Sequence, residues 1–349
     1  MAARQKIEGV QALRAVAALS VVLQHVAEAA AKDLDAPTAM LGLQQAGLGV
    51  DLFFVISGFV ILYAHNRDTQ TTQAAGRYLW RRFARVIPPV FLIATGWALL
   101  VLVTNGLGFT DIYMTLRVWV SSAFVLPMLE PPNPLVIWSL RHEVLFYLIF
   151  LTFYISPKLF IGALAVWVVA CTLPSSLHDP FVVIVEDDIF RATLLAPINM
   201  LFAFGGLAFL AMRHLDETPI WPWLIAGAGG VAVVMFAEKP LWLEYPVIGA
   251  TCVALVMSVG RMPFRGLLGK ALEELGNASY ALYLIHPIVI SVVARLFADA
   301  IGSPALFVVI LVLLSIASAL VWYRLIERPL TMWLRSPSWL PYVSKPSRT

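Results

Sequence analysis

Long apolar stretches recur along the chain and are separated by short polar breaks. A membrane-spanning helix needs roughly 20 mostly apolar residues, and such stretches recur from residue 10 to residue 326. Hydropathy and the placement of glycine and proline predict about ten helical spans. These spans lie near residues 10–30, 46–64, 87–105, 136–155, 158–174, 190–211, 219–237, 241–260, 277–298 and 304–326. The pattern predicts an all-α membrane protein, a bundle of about ten transmembrane helices.

Composition supports a membrane protein and argues against a nucleic-acid partner and a metal site. The chain is 60% hydrophobic and only 13% charged, whereas soluble domains carry about 25% charged residues. Its formal charge of +3 comes from basic residues gathered in alternate loops, so no nucleic-acid partner is expected. Cys171 and Cys252 each lie in an apolar stretch without the spacing of a metal or redox site, which predicts buried packing residues and no metal.

The placement of basic residues predicts the orientation. With a cytoplasmic amino terminus, the outer loops hold only Lys32, Arg117 and Lys239 of the 24 Lys and Arg residues. The positive-inside rule then places both termini in the cytoplasm, with a membrane domain over 1–335 and a short cytoplasmic tail over 336–349. The alternative of a cleaved signal peptide over 1–31 would leave Arg14 inside the apolar core of the signal.

Ionisable groups at membrane depth are costly, by about 2.5–3.5 kcal/mol for arginine, and they usually serve a purpose. Arg14 and His25 are eleven residues apart, which places both on one helical face about 16 Å apart along the axis. Arg14 is then nearer the cytoplasm. Each could instead satisfy a neighbouring group inside the bundle.

The predicted fourth span carries a carboxylate. Glu143 lies about two turns inside that helix, and Ser139 and Tyr147 share its face. It could pair with Arg141, or with a cation of another helix, in a structural role. Equally, it could orient or polarise His25 at a similar depth.

Three further segments carry polar groups. Arg82 and Arg85 share one helical face, and their fork-shaped guanidinium groups suit phosphates, although anchoring on anionic lipid is the alternative. Asp51 lies at the outer end of the second span, which Ser57 and a glycine interrupt.

In the ninth span a hydroxyl-and-imidazole stripe follows helical spacing, formed by Ser279, Tyr283 and His286. Hydrogen bonds between helices are the alternative explanation of this stripe.

Together these segments resemble the acyltransferase-3 family, in that family's order and spacing. The resemblance is carried by residues 13–25, 49–59, 82–88, 138–147 and 279–287 and extends over nearly the whole chain. It implies an integral membrane enzyme that O-acylates surface polysaccharides, lipopolysaccharide, Nod factors, peptidoglycan or small natural products. It also implies that the functional positions are Arg14, His25, Arg82, Arg85 and Glu143.

From the resemblance we expect a multi-pass O-acetyltransferase of the bacterial cytoplasmic membrane. Acetyl-CoA would be the donor substrate, without a permanently bound cofactor, and an exopolysaccharide, lipopolysaccharide or lipo-oligosaccharide hydroxyl the acceptor. Many members continue into a soluble esterase-like domain, so a second catalytic step is expected to need a partner enzyme of polysaccharide assembly. A transporter or flippase of a lipid-linked glycan is the alternative, because intramembrane ionisable groups also line transport pathways.

For the chemistry, the arginines are expected to hold the CoA phosphates, and His25, held by Glu143, to deprotonate the acceptor hydroxyl. Ser57, Ser139, Tyr283, His286 and Asp51 are expected to line the site. An acyl-enzyme on His25 or Ser57 stays open as the alternative path.

Overall fold

The computed structural model describes residues 2–34, 48–106, 108, 112, 114–127, 131–172, 193–215, 217–238, 240–301 and 303–335. Over these ranges the regular structure is helical, without a strand. The helices are α1 (Ala2–Asp33), α2 (Leu48–His65), α3 (Thr72–Gly106), α4 (Leu116–Ala123), α5 (Trp138–Phe150), α6 (Pro157–Thr172), α7 (Met200–His214), α8 (Ile220–Phe236), α9 (Leu241–Ser258), α10 (Gly266–Asn277), α11 (Ser279–Ile301), α12 (Pro304–Trp322) and α13 (Arg328–Arg335). Single 3₁₀ turns lie at Leu135–Ile137, Leu151–Tyr154, Pro197–Asn199 and Val259–Arg261, and a π-helical turn lies at Tyr323–Glu327.

Several helices are long and apolar enough to cross a bilayer. In the described part of the chain there are 7 of them: Glu8–Asp33, Leu48–His65, Thr72–Gly106, Leu135–Tyr154, Trp242–Arg261, Ser279–Ala298 and Pro304–Arg335. The helices α6 and α8 are shorter but also apolar. An all-α membrane protein is therefore confirmed, whereas the count of ten spans, the cytoplasmic termini and the domain boundary stay predictions. The predicted tail, 336–349, lies outside the described residues.

The third span and the basic segment before it form one continuous helix. We predicted a span over 87–105, but α3 begins at Thr72 and runs through both Pro88 and Pro89. The helix starts where Thr71 Oγ1 accepts a hydrogen bond from the backbone N–H of Ala74 (3.2 Å). Each proline removes only one backbone donor, so the flanking turns carry the helix across the pair.

Glycines let α2 and α7 approach closely. A Cβ added at Gly58 would collide with the backbone carbonyl of Phe202, and one added at Gly205 would collide with the carbonyl of Val55. Gly58 is the glycine that follows Ser57 in the second span, and its missing side chain is what permits this close approach. This contact brings the aromatic face of α7 against the middle of the bundle.

Large aromatic side chains fill the space beside α5. The rings of Phe146 and Phe202 stack with centroids 4.4 Å apart, and Phe150 is fully buried next to them. This aromatic cluster packs against α5, the helix that carries Glu143.

Cys171 and Cys252 are both buried and free, as predicted.

Three short helices lie outside the predicted spans: α4, α10 and α13. They were not predicted because none is as long as an apolar span. In α10 a Cβ at Gly276 would collide with the carbonyl of Gln11, so this helix packs tightly against the start of α1. Its Leu267 and Leu268 are exposed, as is typical of a helix lying in a membrane interface.

Candidate active site

An open cavity lies among α1, α2, α3, α5, α7 and α11. It is the point where most of the residues singled out in the sequence converge. Nine of them line it: Arg14, Ser57, Arg82, Arg85, Ser139, Glu143, Tyr147, Ser279 and Tyr283. His25, His286 and Asp51 are not among its lining residues.

Arg14 enters the cavity from α1. Its Nη2 donates to Ser279 Oγ at 2.8 Å, and its Nη1 donates to Gln11 Oε1 at 3.3 Å. The guanidinium lies within electrostatic range of Arg85 and Glu143. Two like charges therefore share this end of the cavity, with a carboxylate close enough to offset them.

Arg82 reaches the cavity from α3, one helical turn before Arg85. Its guanidinium lies 5.5 Å from the ring centroids of both Tyr78 and Tyr147, a cation–π arrangement with both rings. Its Nη2 lies 2.9 Å from His65 Nε2. With Arg14, the two arginines of α3 give the cavity three guanidinium groups, the donors best suited to bind phosphate.

Glu143 faces the cavity from α5 and is held by hydroxyl groups. Its Oε1 accepts hydrogen bonds from Tyr147 OH at 2.5 Å and from Ser57 Oγ at 3.1 Å. Arg141, the partner that the sequence left open, donates from Nη2 to Ser121 Oγ at 2.8 Å. Glu143 thereby fixes the Tyr147 ring that lies against Arg82.

A pair of histidines lies further along α1 and α11. His286 Nδ1 lies 2.9 Å from the carbonyl of Leu282, so this nitrogen carries the hydrogen and His286 Nε2 is an acceptor. His25 Nδ1 lies 3.2 Å from that acceptor and 2.9 Å from the carbonyl of Val21. Both partners require the hydrogen of His25 on Nδ1, which leaves Nε2 with its lone pair.

The expected contact between His25 and Glu143 is not present. Glu143 is bonded to Ser57 and Tyr147, whereas His25 is bonded to Val21 and His286. The reason is geometric. Since Arg14 meets Ser279 and His25 meets His286, α1 and α11 ascend in the same direction, and His25 lies beyond the level of the cavity wall that Glu143 lines.

Tyr283 connects the two regions. It lines the cavity, and its ring lies 6.1 Å from those of Phe53 and His286. Its hydroxyl is fixed, donating to the carbonyl of Val136 at 2.8 Å and lying 2.7 Å from Ser139 Oγ. Phe53 and Tyr283 therefore stand at the end of the cavity nearest the histidine pair.

The stripe of Ser279, Tyr283 and His286 forms hydrogen bonds between helices at all three positions, with Arg14, Ser139 and His25 respectively. This is the alternative that the sequence had left open. It does not remove these residues from the site, because each of them holds another of the predicted site residues.

Asp51 occupies a different place. It lies within electrostatic range of Glu244, and Cys252 on α9 lies within range of Asp51. The structure thus places Asp51 against α9 and not at the cavity.

Two further groups were not singled out in the sequence. Glu327 is only 8% exposed and lies on the π-helical turn after α12, within electrostatic range of Arg14 and Arg85. Its Oε2 has no hydrogen-bond partner among the described residues. His65 contacts Arg82, as described above. The signal for Glu327 was a carboxylate between two basic residues at the end of an apolar stretch, and π-helical turns are frequent at functional sites.

Comparison with known proteins identifies what the chain resembles. Residues 7–324 match a family model described as an acyltransferase domain. The exopolysaccharide production protein ExoZ of Rhizobium meliloti is 30% identical, over 81% of this chain and 88% of ExoZ. The acyltransferase MdmB of Streptomyces mycarofaciens is 27% identical, over 85% of this chain and 82% of MdmB.

A third relative is longer than this chain. The O-acetyltransferase OatA of Staphylococcus aureus is 27% identical over 93% of this chain but only 57% of OatA. No solved structure matches the chain.

Proposed function

Because this chain belongs to the acyltransferase-3 family and is a multi-pass membrane acyltransferase, we propose that it moves an acetyl group from cytoplasmic acetyl-CoA to a carbohydrate hydroxyl. The membrane is proposed to be the bacterial cytoplasmic membrane. The observation that carries the proposal is the single cavity lined by Arg14, Arg82 and Arg85 at one level of the bundle, with an available imidazole beyond it.

The three arginines are proposed to bind the phosphate groups of acetyl-CoA. Guanidinium groups bind phosphate with two parallel hydrogen bonds and stay charged inside a protein. Glu143 is proposed to act on this donor side, as a positioning residue that holds Tyr147 against Arg82.

His25 is proposed as the general base. Its Nδ1 hydrogen is already committed to the Val21 carbonyl and to His286, so Nε2 is the nitrogen that takes the proton of the acceptor hydroxyl. The oxygen then attacks the thioester carbonyl, the carbon–sulfur bond breaks, and the imidazolium returns the proton to the CoA thiolate. A positioned base contributes typically about 10²–10⁴-fold.

The distance between the two regions suits a long donor. Arg14 and His25 are about 16 Å apart along α1, and their partners Ser279 and His286 are about 10 Å apart along α11. The phosphates and the reacting carbonyl of one donor molecule would then lie at opposite ends of this stretch. The pantetheine arm then passes Phe53 and Tyr283, which end the cavity on that side. The acceptor reaches His25 from the other direction.

The acceptor is proposed to be a sugar hydroxyl of an exopolysaccharide or a lipopolysaccharide. Support comes from the relatives: one is named for exopolysaccharide production and another is named an O-acetyltransferase. Enzymes that assemble such a polysaccharide are the proposed partners.

Transfer of radiolabelled acetyl from acetyl-CoA tests the proposal. Membranes carrying the wild-type chain, His25→Ala or the control His214→Ala, which changes an exposed histidine of α7, are incubated with label, and the extracted envelope glycans are counted. We expect label in glycan with the wild type and the control, and labelling slower by about 10²–10⁴-fold with His25→Ala. Equal labelling by all three chains would exclude His25 as the base, and label retained on Ser57 would replace direct transfer by an acyl-enzyme path.

A further inference from the structure

A chain of hydrogen bonds reaches Arg82 from residues that are not among those lining the cavity. Asp68 Oδ2 lies 2.7 Å from His65 Nδ1, and His65 Nε2 lies 2.9 Å from Arg82 Nη2. Tyr154 OH donates to the same Asp68 oxygen at 2.7 Å. These residues come from the end of α2, the turn after it, α3 and the turn after α5. They form a separate cluster beside the donor cavity.

The geometry fixes the tautomer of His65. A carboxylate only accepts hydrogen bonds, so His65 Nδ1 carries the hydrogen towards Asp68. The guanidinium only donates, so Nε2 must be the acceptor for Arg82. The arrangement is the familiar one in which a carboxylate sets which ring nitrogen is available.

Burial holds the His65 ring in this orientation. The His65 side chain is 7% exposed and Asp68 is 35% exposed, so the ring is enclosed while the carboxylate keeps contact with its surroundings. The Tyr78 ring stands edge-on to His65 with centroids 5.1 Å apart, and Phe150 lies 6.1 Å away. The imidazole therefore has little freedom to turn.

The orientation of the Arg82 guanidinium depends on its contact with His65. Its Nε is buried without a hydrogen-bond partner in the described structure, and its other contacts are the rings of Tyr78 and Tyr147. Rings hold a cation in place loosely, because they do not fix the direction of its N–H groups. His65 supplies a directed acceptor, and so it sets which N–H groups stay free to point into the cavity.

We propose that His65 and Asp68 are positioning residues that orient the Arg82 guanidinium for a phosphate group of the acyl-CoA donor. The inference rests on the proposed function, in which Arg82 binds that donor. Neither residue touches the reacting atoms. Their effect is on donor binding and passes through Arg82.

Two substitutions of His65 separate the inference from a general structural role. In His65→Gln the amide oxygen takes roughly the place of Nε2 and still accepts from Arg82, whereas in His65→Asn the shorter amide reaches Asp68 but not Arg82. Binding of radiolabelled acetyl-CoA to the purified full chain and steady-state kinetics are measured for both. We expect His65→Asn to raise the Kd and KM for acetyl-CoA about tenfold with kcat little changed, and His65→Gln to stay close to the wild type.

The references are Arg82→Ala, the double variant His65→Asn/Arg82→Ala, and Asn66→Ala as a control at the same end of α2. The double variant should bind donor no more weakly than Arg82→Ala alone, because His65 acts only through Arg82. Normal donor binding by His65→Asn beside weakened binding by Arg82→Ala would overturn this inference and leave the proposed function standing. An additional loss of donor binding in the double variant would have the same two consequences. A wild-type chain that binds no acetyl-CoA would overturn the proposed function and the inference with it.

Discussion

Arg14 and His25 project from the same helix, yet their surroundings differ in kind. Arg14 faces a hydroxyl, an amide and the field of nearby charged groups, so its charge is offset from several sides. His25 meets a backbone carbonyl and a second imidazole, both on one ring nitrogen. The first setting suits a group that stays charged and binds an anion. The second suits a group that gains and loses one proton at its other nitrogen.

The strongest test of this difference is removal of the base. We expect His25→Ala to lower kcat by about 10²–10⁴-fold, since the acceptor hydroxyl then loses its proton acceptor. The KM for acetyl-CoA should change little, because the arginines are untouched. Transfer rates in membranes with equal amounts of inserted protein give both values. A raised KM with a normal kcat would instead show that His25 contributes to donor binding, and the contrast between His25 and Arg14 would not hold.

A second test removes the partner of the base. His286→Leu deletes one of the two acceptors that hold the Nδ1 hydrogen of His25. Hydrogen bonds to charged groups contribute about 1.5–3 kcal/mol, so we expect kcat to fall by about 10- to 100-fold as the imidazolium loses support. Single-turnover transfer from prebound acetyl-CoA isolates this step. An unchanged rate would mean that the Val21 carbonyl alone orients His25.

On the arginine side, Glu327→Gln removes a buried negative charge near Arg14 and Arg85. The empty protein should lose about 1–3 kcal/mol of stability, because two guanidinium groups keep less compensation. The thermal shift produced by acetyl-CoA should grow, since phosphate then replaces the missing charge. Melting curves of the purified chain with and without donor measure both. A smaller ligand shift would show that Glu327 supports the donor instead of competing with it.

The smallest effect is expected at Ser57. Ser57→Ala removes one of the hydrogen bonds that the Glu143 carboxylate accepts, worth about 1.5–3 kcal/mol. Because Glu143 only positions Tyr147 on the donor side, transfer should fall by less than about tenfold. Tyr147 still holds the carboxylate. Complete loss of transfer would instead assign Ser57 to an acyl-enzyme, and an assay for covalent label on the protein would settle the assignment.

The sequence predicted the all-α membrane fold because each apolar span depends on its own residues. The placement of Arg14 and His25 on one helix also followed from local spacing. In contrast, the prediction that Glu143 holds His25 was wrong. His25 and His286 are 261 positions apart, and which helices become neighbours depends on packing, such as the close approach at Gly58, that hydropathy does not encode.

Residues that support the site indirectly were the hardest to predict. His65 and Asp68 look like the ordinary polar end of a span, and Glu327 like a charge in a basic segment. Their significance comes from Arg82, Arg85 and Arg14, which reach them only in the folded bundle. Nothing in the spacing of the chain distinguishes His65 and Asp68 from solvated surface groups.

The parallel pairing of α1 with α11 has a consequence for donor selectivity. Arg14–Ser279 and His25–His286 are two contacts of the same helix pair, so the gap between the proposed phosphate-binding end and the proposed base is set by helical rise. A donor with a longer acyl chain would keep its phosphates at the arginines and its carbonyl at His25. The extra carbons must therefore find room beyond His25, and the space there sets the upper limit on chain length.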